Sequence, residues 1–455
     1  MAYKIRNDKL YHAMRLLIQR EISFLEPFLH GEMFDEFLQK TEKEYPYMAK
    51  FIVDRLPTFF NDYYILLVTG EHKEEMQQLP EYIDYKKLML DDEIISRHFK
   101  EKIGNLRGIL TLYDWDFFYF ILNRMLNLYF STKKFDNALF DDLYCDLESF
   151  LYNEYIPLII IAPLHNFKLH SGEWNFDCIS LADGLLIRRI TQEERQKFFK
   201  YRALNQLTFR EIGMFQYVIQ YTTSVYKFLK IEQGYESKQS SSIDDMQKVL
   251  DDVITALRLQ HNGVVGYSYI QCKDILKIPV QVGGSLSRGP FKSYGSDNFI
   301  LDQADGVNTR HLYHELKSIG SKNLAFILAL KRFNSAYSDI SLEDKIIDFA
   351  ISYELLFSRE GDGTDSISHK IALRFSRLVT EDNNQIMAHY KKMKRLYKTR
   401  SAILHGNIES NRQKTESVVI EFEENMRSGL KSYLERFKTG NYQSHTDIIQ
   451  ELDLG

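Results

Sequence analysis

The segment KKMKRLYKTRSAILHGN, residues 391–407, has the pattern of an amphipathic helix and its end. Cations recur three and four residues apart with apolar side chains between them, and Gly406 offers a helix stop directly after His405. Six cations and no acid stand from His389 to Arg400. A helix with this local charge is suited to hold a phosphate backbone.

Arg400 and His405 bring two groups that phosphodiester cleavage needs. An imidazole titrates near neutral pH, and a guanidinium stays charged and can fork onto phosphate oxygens. The spacing alone says little, because Arg6 and His12 also match it at the start of the chain. We interpret that second match as accidental, since no basic amphipathic helix precedes it.

The geometry of a single helix keeps Arg400 and His405 apart. At about 100° per residue the two side chains point roughly 140° away from each other. They converge only if the long arginine reaches round the helix, if the helix ends at His405, or if a second copy of the chain completes the site.

The same three- and four-residue periodicity extends through the rest of the C-terminal region. It predicts helices at 324–337, 344–358, 366–378, 384–405 and 414–437. We expect an all-helical domain at residues 316–445.

The remaining chain divides into a helical region, residues 1–155, and a strand-containing module, residues 156–315. The module contains the β-branched run IPLIII at 156–161 and two strands around an Asp183-Gly184 turn. We also predict helices at 211–229 and 244–259 and a polar linker at 236–242. The fold class is therefore predicted as α+β, mainly α, with the module in a sensing or regulatory role.

Composition excludes several classes of protein. The 455 residues are 44% hydrophobic and 27% charged, which is typical of globular domains, and the net charge of −5 rules out binding nucleic acid by bulk charge. Three scattered cysteines fit neither a disulfide framework nor a C-x-x-C zinc site. Because no secretory signal or membrane span is apparent, we expect a soluble cytoplasmic protein with no membrane partner.

Two further motifs lack the residues that their chemistry needs. The spacing of Gly284 and Gly289 matches a phosphate loop, but Pro290 and Phe291 occupy the Lys and Ser/Thr positions. His311 and His314 stand beside a carboxylate without a third ligand nearby. We therefore expect no metal and no cofactor.

Several C-terminal motifs, in order along the chain, resemble the ApeA-like branch of the HEPN superfamily. They are LKRFN-x-AY from Leu330, DFAISYELL from Asp348, HKIALR from His369 and LYK-x-RS-x-ILHG from Leu396. The resemblance covers about the last quarter of the chain. The nuclease members of the HEPN superfamily carry R-x(4–6)-H in an all-helical domain. Many of them place Asn, Asp or His directly after the motif arginine, where this chain has Ser401.

The resemblance implies a metal-independent endoribonuclease. His405 would be the general acid or base for attack of an RNA 2′-hydroxyl on the adjacent phosphate, and Arg400 would neutralise the transition-state charge. Glu354 and Arg374 would support the site, with Glu354 as a buried partner of Arg374 or Arg400. Substrate-binding residues would be Ser401, Lys391, Lys394, Arg395, Lys398 and Asn407.

The expected partners are RNA, a second copy joined through the C-terminal helices, and a phage-derived or protein trigger sensed by residues 1–315. Such a protein would act in prokaryotic antiphage defence or as a toxin. Two alternatives stay open: a non-catalytic RNA- or nucleotide-binding scaffold, and a HEPN domain that is the target of a partner nucleotidyltransferase.

Overall fold

The structure is a computed structural model that describes most of the chain. The described residues are 5–29, 71–105, 108–110, 112–132, 134–170, 178–196, 198, 215–228, 237–276, 285–287, 299–319, 323–338, 341–359, 362, 367–406, 412–440, 442 and 444–454. None of the helices in these ranges is long and apolar enough to cross a membrane.

The chain forms two compact units, each assembled from three stretches. The first contains residues 1–159, 222–243 and 272–285, and the second contains 160–221, 244–271 and 286–455. The division into regions at 155 and 315 stays a prediction. The fold class, α+β and mainly α, is confirmed.

The first unit is largely helical. Its helices are α1 (Asp8–Leu29), α2 (Glu71–Gln77), α3 (Pro80–Asp91), α4 (Glu93–Lys100), α5 (Asp114–Thr132) and α6 (Asn137–Tyr152), with a short antiparallel pair, β1 (Ile103–Asn105) and β2 (Gly108–Leu110), between α4 and α5. Asp92 caps α4 and Asp136 caps α6 by accepting from backbone N–H groups of the first turn. The described residues before 153 are therefore mainly helical, as the periodicity predicts.

A six-stranded sheet follows, in the order β5-β6-β7-β3-β8-β9. Its strands are β3 (Tyr155–Pro163), β5 (Cys178–Ala182), β6 (Leu185–Arg189), β7 (Tyr217–Tyr226), β8 (Tyr269–Asp274) and β9 (Ser285–Ser287); β4 (Phe167–Leu169) and β10 (Phe299–Leu301) pair separately in parallel. The predicted Asp183-Gly184 turn joins β5 to β6, where Gly184 has φ 68°, a left-handed conformation that favours glycine.

Two predicted elements are wrong. The helix expected at 211–229 is a strand over Tyr217–Tyr226, because the β-branched and aromatic residues of YVIQYTTSVY favour a pleated sheet over a helix. The linker expected at 236–242 instead forms the first turns of α7 (Ser237–Gln260). Its polar residues extend a helix that the buried Leu250, Val253 and Leu257 stabilise further along.

The second unit ends in a helical bundle. Its helices after α7 are α8 (Gln303–Ile319), α9 (Leu324–Ser335), α10 (Leu342–Phe357), α11 (Ile367–Val379), α12 (Asn383–Leu404), α13 (Arg412–Thr439) and α14 (His445–Leu454). The five predicted C-terminal helices are confirmed to within two residues at each end. Asn323, Ser341 and Asp382 cap α9, α10 and α12.

Buried arginines tie α7 to this bundle. The guanidinium of Arg258 donates to the carbonyl oxygen of Val265 at 2.9 and 3.1 Å and to the Oδ1 of Asn334 on α9 at 2.8 Å. Arg427 of α13 donates in turn to the carbonyl oxygen of Arg258 at 2.7 Å. Residues 244–260 of α7 thus pack as part of the same core as the C-terminal helices.

Candidate functional site

Helix α12 carries most of the predicted site. Its inner side buries Met393, Leu396 and Tyr397, and the helix ends at Leu404. Gly406 follows with φ 73° and donates its N–H to the carbonyl oxygen of Ile403 at 3.0 Å. The left-handed Gly406, directly after His405, terminates the helix, as the sequence predicts.

Arg400 lies on the inner side of α12 and faces α10. Its Nη2 is 3.2 Å from Oε1 of Glu354. The hydroxyl of Tyr397 donates to the same carboxylate oxygen at 3.1 Å. The Nε of Arg400 is buried and has no hydrogen-bond partner among the described residues. Glu354 therefore holds Arg400 and Tyr397, which are three residues apart on one helix face.

The Tyr397 hydroxyl is a constant donor in this group. Burial, and then the neighbouring Glu354 carboxylate, raise the pKa of Tyr397 well above its usual range. The hydroxyl thus stays protonated at any physiological pH. Sequence reasoning missed this residue, although its position one turn before Arg400 placed it on the same face.

His405 lies on the opposite, outer side of the helix end. It is exposed, and its ring has no hydrogen-bond partner in the part of the chain that the structure describes. Exposed side chains at three- and four-residue spacing lead to it along α12. We call this set the cationic stripe, which consists of Lys391, Lys394, Lys398, Ser401 and His405.

The other predicted substrate-binding residues are divided. Arg395 is exposed but forms an ion pair with Glu421 of α13, whose Oε1 is also 3.6 Å from Nζ of Lys392. Lys394 donates to the Ser368 hydroxyl at 3.2 Å. Asn407 lies outside the described residues. The stripe therefore keeps its positive charge, whereas that of Arg395 is neutralised.

Arg374 is not part of this arrangement. Its guanidinium is 1% exposed and contacts Asp362 at 2.5 Å and Asp453 of α14 at 2.7 Å. Of the two partners predicted for Glu354, the structure selects Arg400. Arg374 instead anchors α14, and its partners were beyond reach from sequence because they lie far from it along the chain.

These ion pairs shift both carboxyl groups. Burial raises the pKa of Asp362, but hydrogen bonds from Arg374 and Lys370 outweigh it and hold the pKa well below its usual range. The hydrogen bonds from Arg374 likewise lower the pKa of Asp453. Both aspartates are therefore charged at neutral pH, and the cluster stabilises the fold.

The remaining sequence motifs form no metal-binding group in the described parts of the chain. His311 and His314 are exposed on α8, and among the described residues no three His, Cys, Asp or Glu side chains are grouped to hold a metal ion. Of the loop at 284–289, the structure describes only β9.

Comparison with models of protein families, with curated proteins and with solved structures finds no match to this chain. The chemistry of the candidate site therefore rests on the residues of α12 and their partners. Helix α12 carries a half-buried guanidinium held by a carboxylate on its inner side, and a row of ammonium groups leading to an exposed imidazole on its outer side. These groups are suited to anionic, phosphate-containing ligands.

Proposed function

We propose that this protein is a metal-independent endoribonuclease of the HEPN type. The observation that carries the proposal is the end of α12, where the cationic stripe leads to the exposed His405 and Glu354 fixes Arg400 on the inner side of the same helix. The stripe supplies charges for the RNA backbone. The helix end supplies the groups for the reaction.

In this proposal His405 takes the proton of an RNA 2′-hydroxyl as its oxygen attacks the adjacent phosphorus. The bond to the 5′-oxygen breaks, and that oxygen receives a proton from an imidazolium. The products are a 2′,3′-cyclic phosphate and a 5′-hydroxyl end. Arg400 neutralises the charge that builds on the phosphate oxygens.

The opposite directions of Arg400 and His405 favour a site shared by two copies. A two-fold axis beside the helix end would place the Arg400 of one chain near the His405 of the other. Leu404 is 51% exposed directly beside His405 and offers apolar surface for such a contact. We therefore propose a homodimer through the C-terminal helices.

The biological role follows from the chemistry as a further part of the proposal. A nuclease that cuts cellular RNA has to be restrained until it is needed, and residues 1–315 would provide this restraint and respond to a phage-derived or protein trigger. The protein would then act in antiphage defence or as a toxin.

The test is incubation of the protein and its His405→Ala form with mixed RNAs in EDTA. We expect cleavage only by the unchanged protein, with 2′,3′-cyclic phosphate and 5′-hydroxyl ends and no cleavage of DNA. Loss of activity in EDTA, or equal cleavage of DNA, contradicts the mechanism.

Toxicity in cells is the companion measurement, because a restrained enzyme looks inactive in a tube. We expect toxicity to disappear with His405→Ala. RNA binding without cleavage, with toxicity unchanged by that substitution, would favour the scaffold alternative.

A further inference from the structure

An aromatic pair lies beside the start of the cationic stripe. Tyr390 of α12 directly precedes Lys391, and His369 lies in the first turn of α11. A hydrogen bond of 2.7 Å joins the Tyr390 hydroxyl to Nδ1 of His369, and the ring centroids are 5.5 Å apart with an interplanar angle of 78°. His369 is exposed and Tyr390 is half-buried, so the pair lies at the surface.

Two lysines lie near this pair. Nζ of Lys394 contacts the Ser368 hydroxyl, next to His369 in the chain, at 3.2 Å. Lys391 is exposed beside Tyr390, and neither lysine forms an ion pair with a carboxylate in the described ranges. Rings flanked by unpaired ammonium groups are the arrangement that single-stranded nucleic acids bind, with bases on the rings and phosphates on the cations.

We propose that His369 and Tyr390, with Lys391 and Lys394, form a base-stacking subsite for single-stranded RNA. The strand then follows the cationic stripe to His405. This inference rests on the proposed function and extends it to the class of substrate. His405 is fifteen positions after Tyr390, so at the helical rise of about 1.5 Å per residue the subsite lies about 22 Å from the reacting groups.

The chemistry of the subsite selects unpaired bases. The bases of an A-form duplex are stacked on one another and cannot reach a ring on the protein surface. Lysines and aromatic rings read neither the base edges nor the 2′-hydroxyl, so stacking here tolerates many sequences and also single-stranded DNA. The 2′-hydroxyl is needed only at His405, and single-stranded DNA should therefore bind and inhibit without being cut.

The experiment measures binding of a labelled, unstructured twelve-nucleotide RNA to the His405→Ala protein in EDTA. In that background Tyr390→Leu should weaken affinity about tenfold, because stacking of one base contributes this much. Tyr390→Trp should restore the affinity. Tyr155→Leu is the matched control, since Tyr155 also forms an exposed aromatic pair, with Tyr226 at 5.4 Å, but lies in the first unit.

Length and strandedness provide the second arm. A dinucleotide cannot reach from Tyr390 to His405, so it should bind far more weakly than the twelve-nucleotide strand, and a duplex of the same sequence should also bind more weakly. Three results would overturn the inference. They are equal RNA affinity with and without Tyr390→Leu in the His405→Ala protein, equal affinity for the duplex and the single strand, and competition by polyglutamate as strong as that by RNA.

The outcome does not depend on cleavage. If the unchanged protein fails to cut RNA, its toxicity in cells survives His405→Ala and Tyr390→Leu weakens binding, the nuclease proposal fails and the subsite stands. If cleavage occurs and Tyr390→Leu binds normally, the subsite fails and the nuclease stands. Absence of any RNA binding overturns the subsite.

Discussion

The arginine–histidine spacing occurs at both ends of the chain, and in each place a glutamate and a tyrosine lie beside the arginine. At the N-terminus Glu148 accepts the backbone N–H groups of Arg6 and Asn7, both at 2.9 Å, and so holds the backbone just before α1. The guanidinium of Arg6 lies 5.6 Å from the ring of Tyr152 and is exposed. The glutamate there holds the backbone and leaves the arginine side chain to solvent.

At the C-terminus the same residue types are connected differently. Glu354 binds the side chain of Arg400 and the hydroxyl of Tyr397, and the backbone of this helix end is stabilised by Gly406. The cationic stripe has no counterpart in the first turn of α1, which contains Asp8. A motif of two residues therefore gains chemical meaning from the partner that fixes the arginine and from the surrounding charge.

The largest expected difference between the two motifs is in activity. His405→Ala should lower the rate of RNA cleavage by about 10²–10⁴-fold, because it would remove the proposed general acid and base. His12→Ala should leave the rate unchanged. Single-turnover cleavage assays of both variants compare the two motifs directly, and a similar loss from His12→Ala would mean that the sites are assigned to the wrong end.

Removal of each glutamate should give opposite results. Glu354→Ala should reduce cleavage about tenfold and change the free energy of unfolding by about 1 kcal/mol or less, because its ion pair is partly exposed. Glu148→Ala should spare cleavage but cost about 2 kcal/mol, since Glu148 is fully buried and its loss leaves the N–H groups of Arg6 and Asn7 without their acceptor. Denaturant titration and cleavage rates measure both effects; a stability loss of similar size in both variants would contradict the comparison.

Acidic pH should lower the stability of the first unit, which contains Arg6 and His12, more than that of the second, which contains Arg400 and His405. His98 is fully buried on α4, and burial, followed by the charge of Lys227, lowers its pKa to about 3. Because its ordinary value is 6.5, protonation favours the unfolded chain, and the stability of the first unit falls as the pH drops from about 6.5 towards 3.

The second unit should lose less stability over this range, although burial also lowers the pKa of His445 on α14 and of His389 on α12. Asp362 and Asp453 have lowered pKa values, so the stability that they contribute is lost only below their ordinary pKa near 4. Hydrogen exchange at pH 7 and pH 5 should therefore show protection falling more in α4 and α6, around the fully buried His98, than in α11. Helix α14 should also lose some protection, because burial lowers the pKa of His445 at its start. A His98→Leu variant should lose this difference, and equal loss of protection in both units would refute the assignment.

The smallest effect concerns the cationic stripe. Lys398→Gln should reduce the slope of log affinity for single-stranded RNA against log salt concentration by about 0.7, because one phosphate contact is removed. Lys9→Gln, beside the N-terminal motif, should leave the slope unchanged. Fluorescence anisotropy over a salt series provides the measurement, and identical slopes for Lys398→Gln and unchanged protein would exclude this lysine from the RNA path.

Local sequence patterns correctly predicted the elements whose formation depends on neighbouring residues in the chain. The C-terminal helices follow from periodicity and caps, and the β5–β6 hairpin follows from Asp183-Gly184. The strand β7 was missed because Tyr217–Tyr226 also fits a helical pattern, and its neighbours β6 and β3 decide the outcome through sheet pairing.

The site divides in the same way. Arg400, His405 and the lysines could be identified from one segment, because they share a helix. The choice of Arg400 over Arg374 as the partner of Glu354 depends on contacts between α10 and α12. Tyr397 and Glu354, which share a hydrogen bond, are 43 residues apart in the chain. Such choices depend on tertiary packing, which periodicity does not encode.

The attachment of α7 to the C-terminal helices has a consequence for anyone who wishes to produce the helical region alone. A fragment that starts at residue 316 would lack Arg258, and the Asn334 side chain would lose a charged donor while Arg427 would lose the carbonyl to which it donates. Each buried loss of this kind costs about 1–3 kcal/mol. A stable fragment should therefore begin ahead of residue 244, with α7 included.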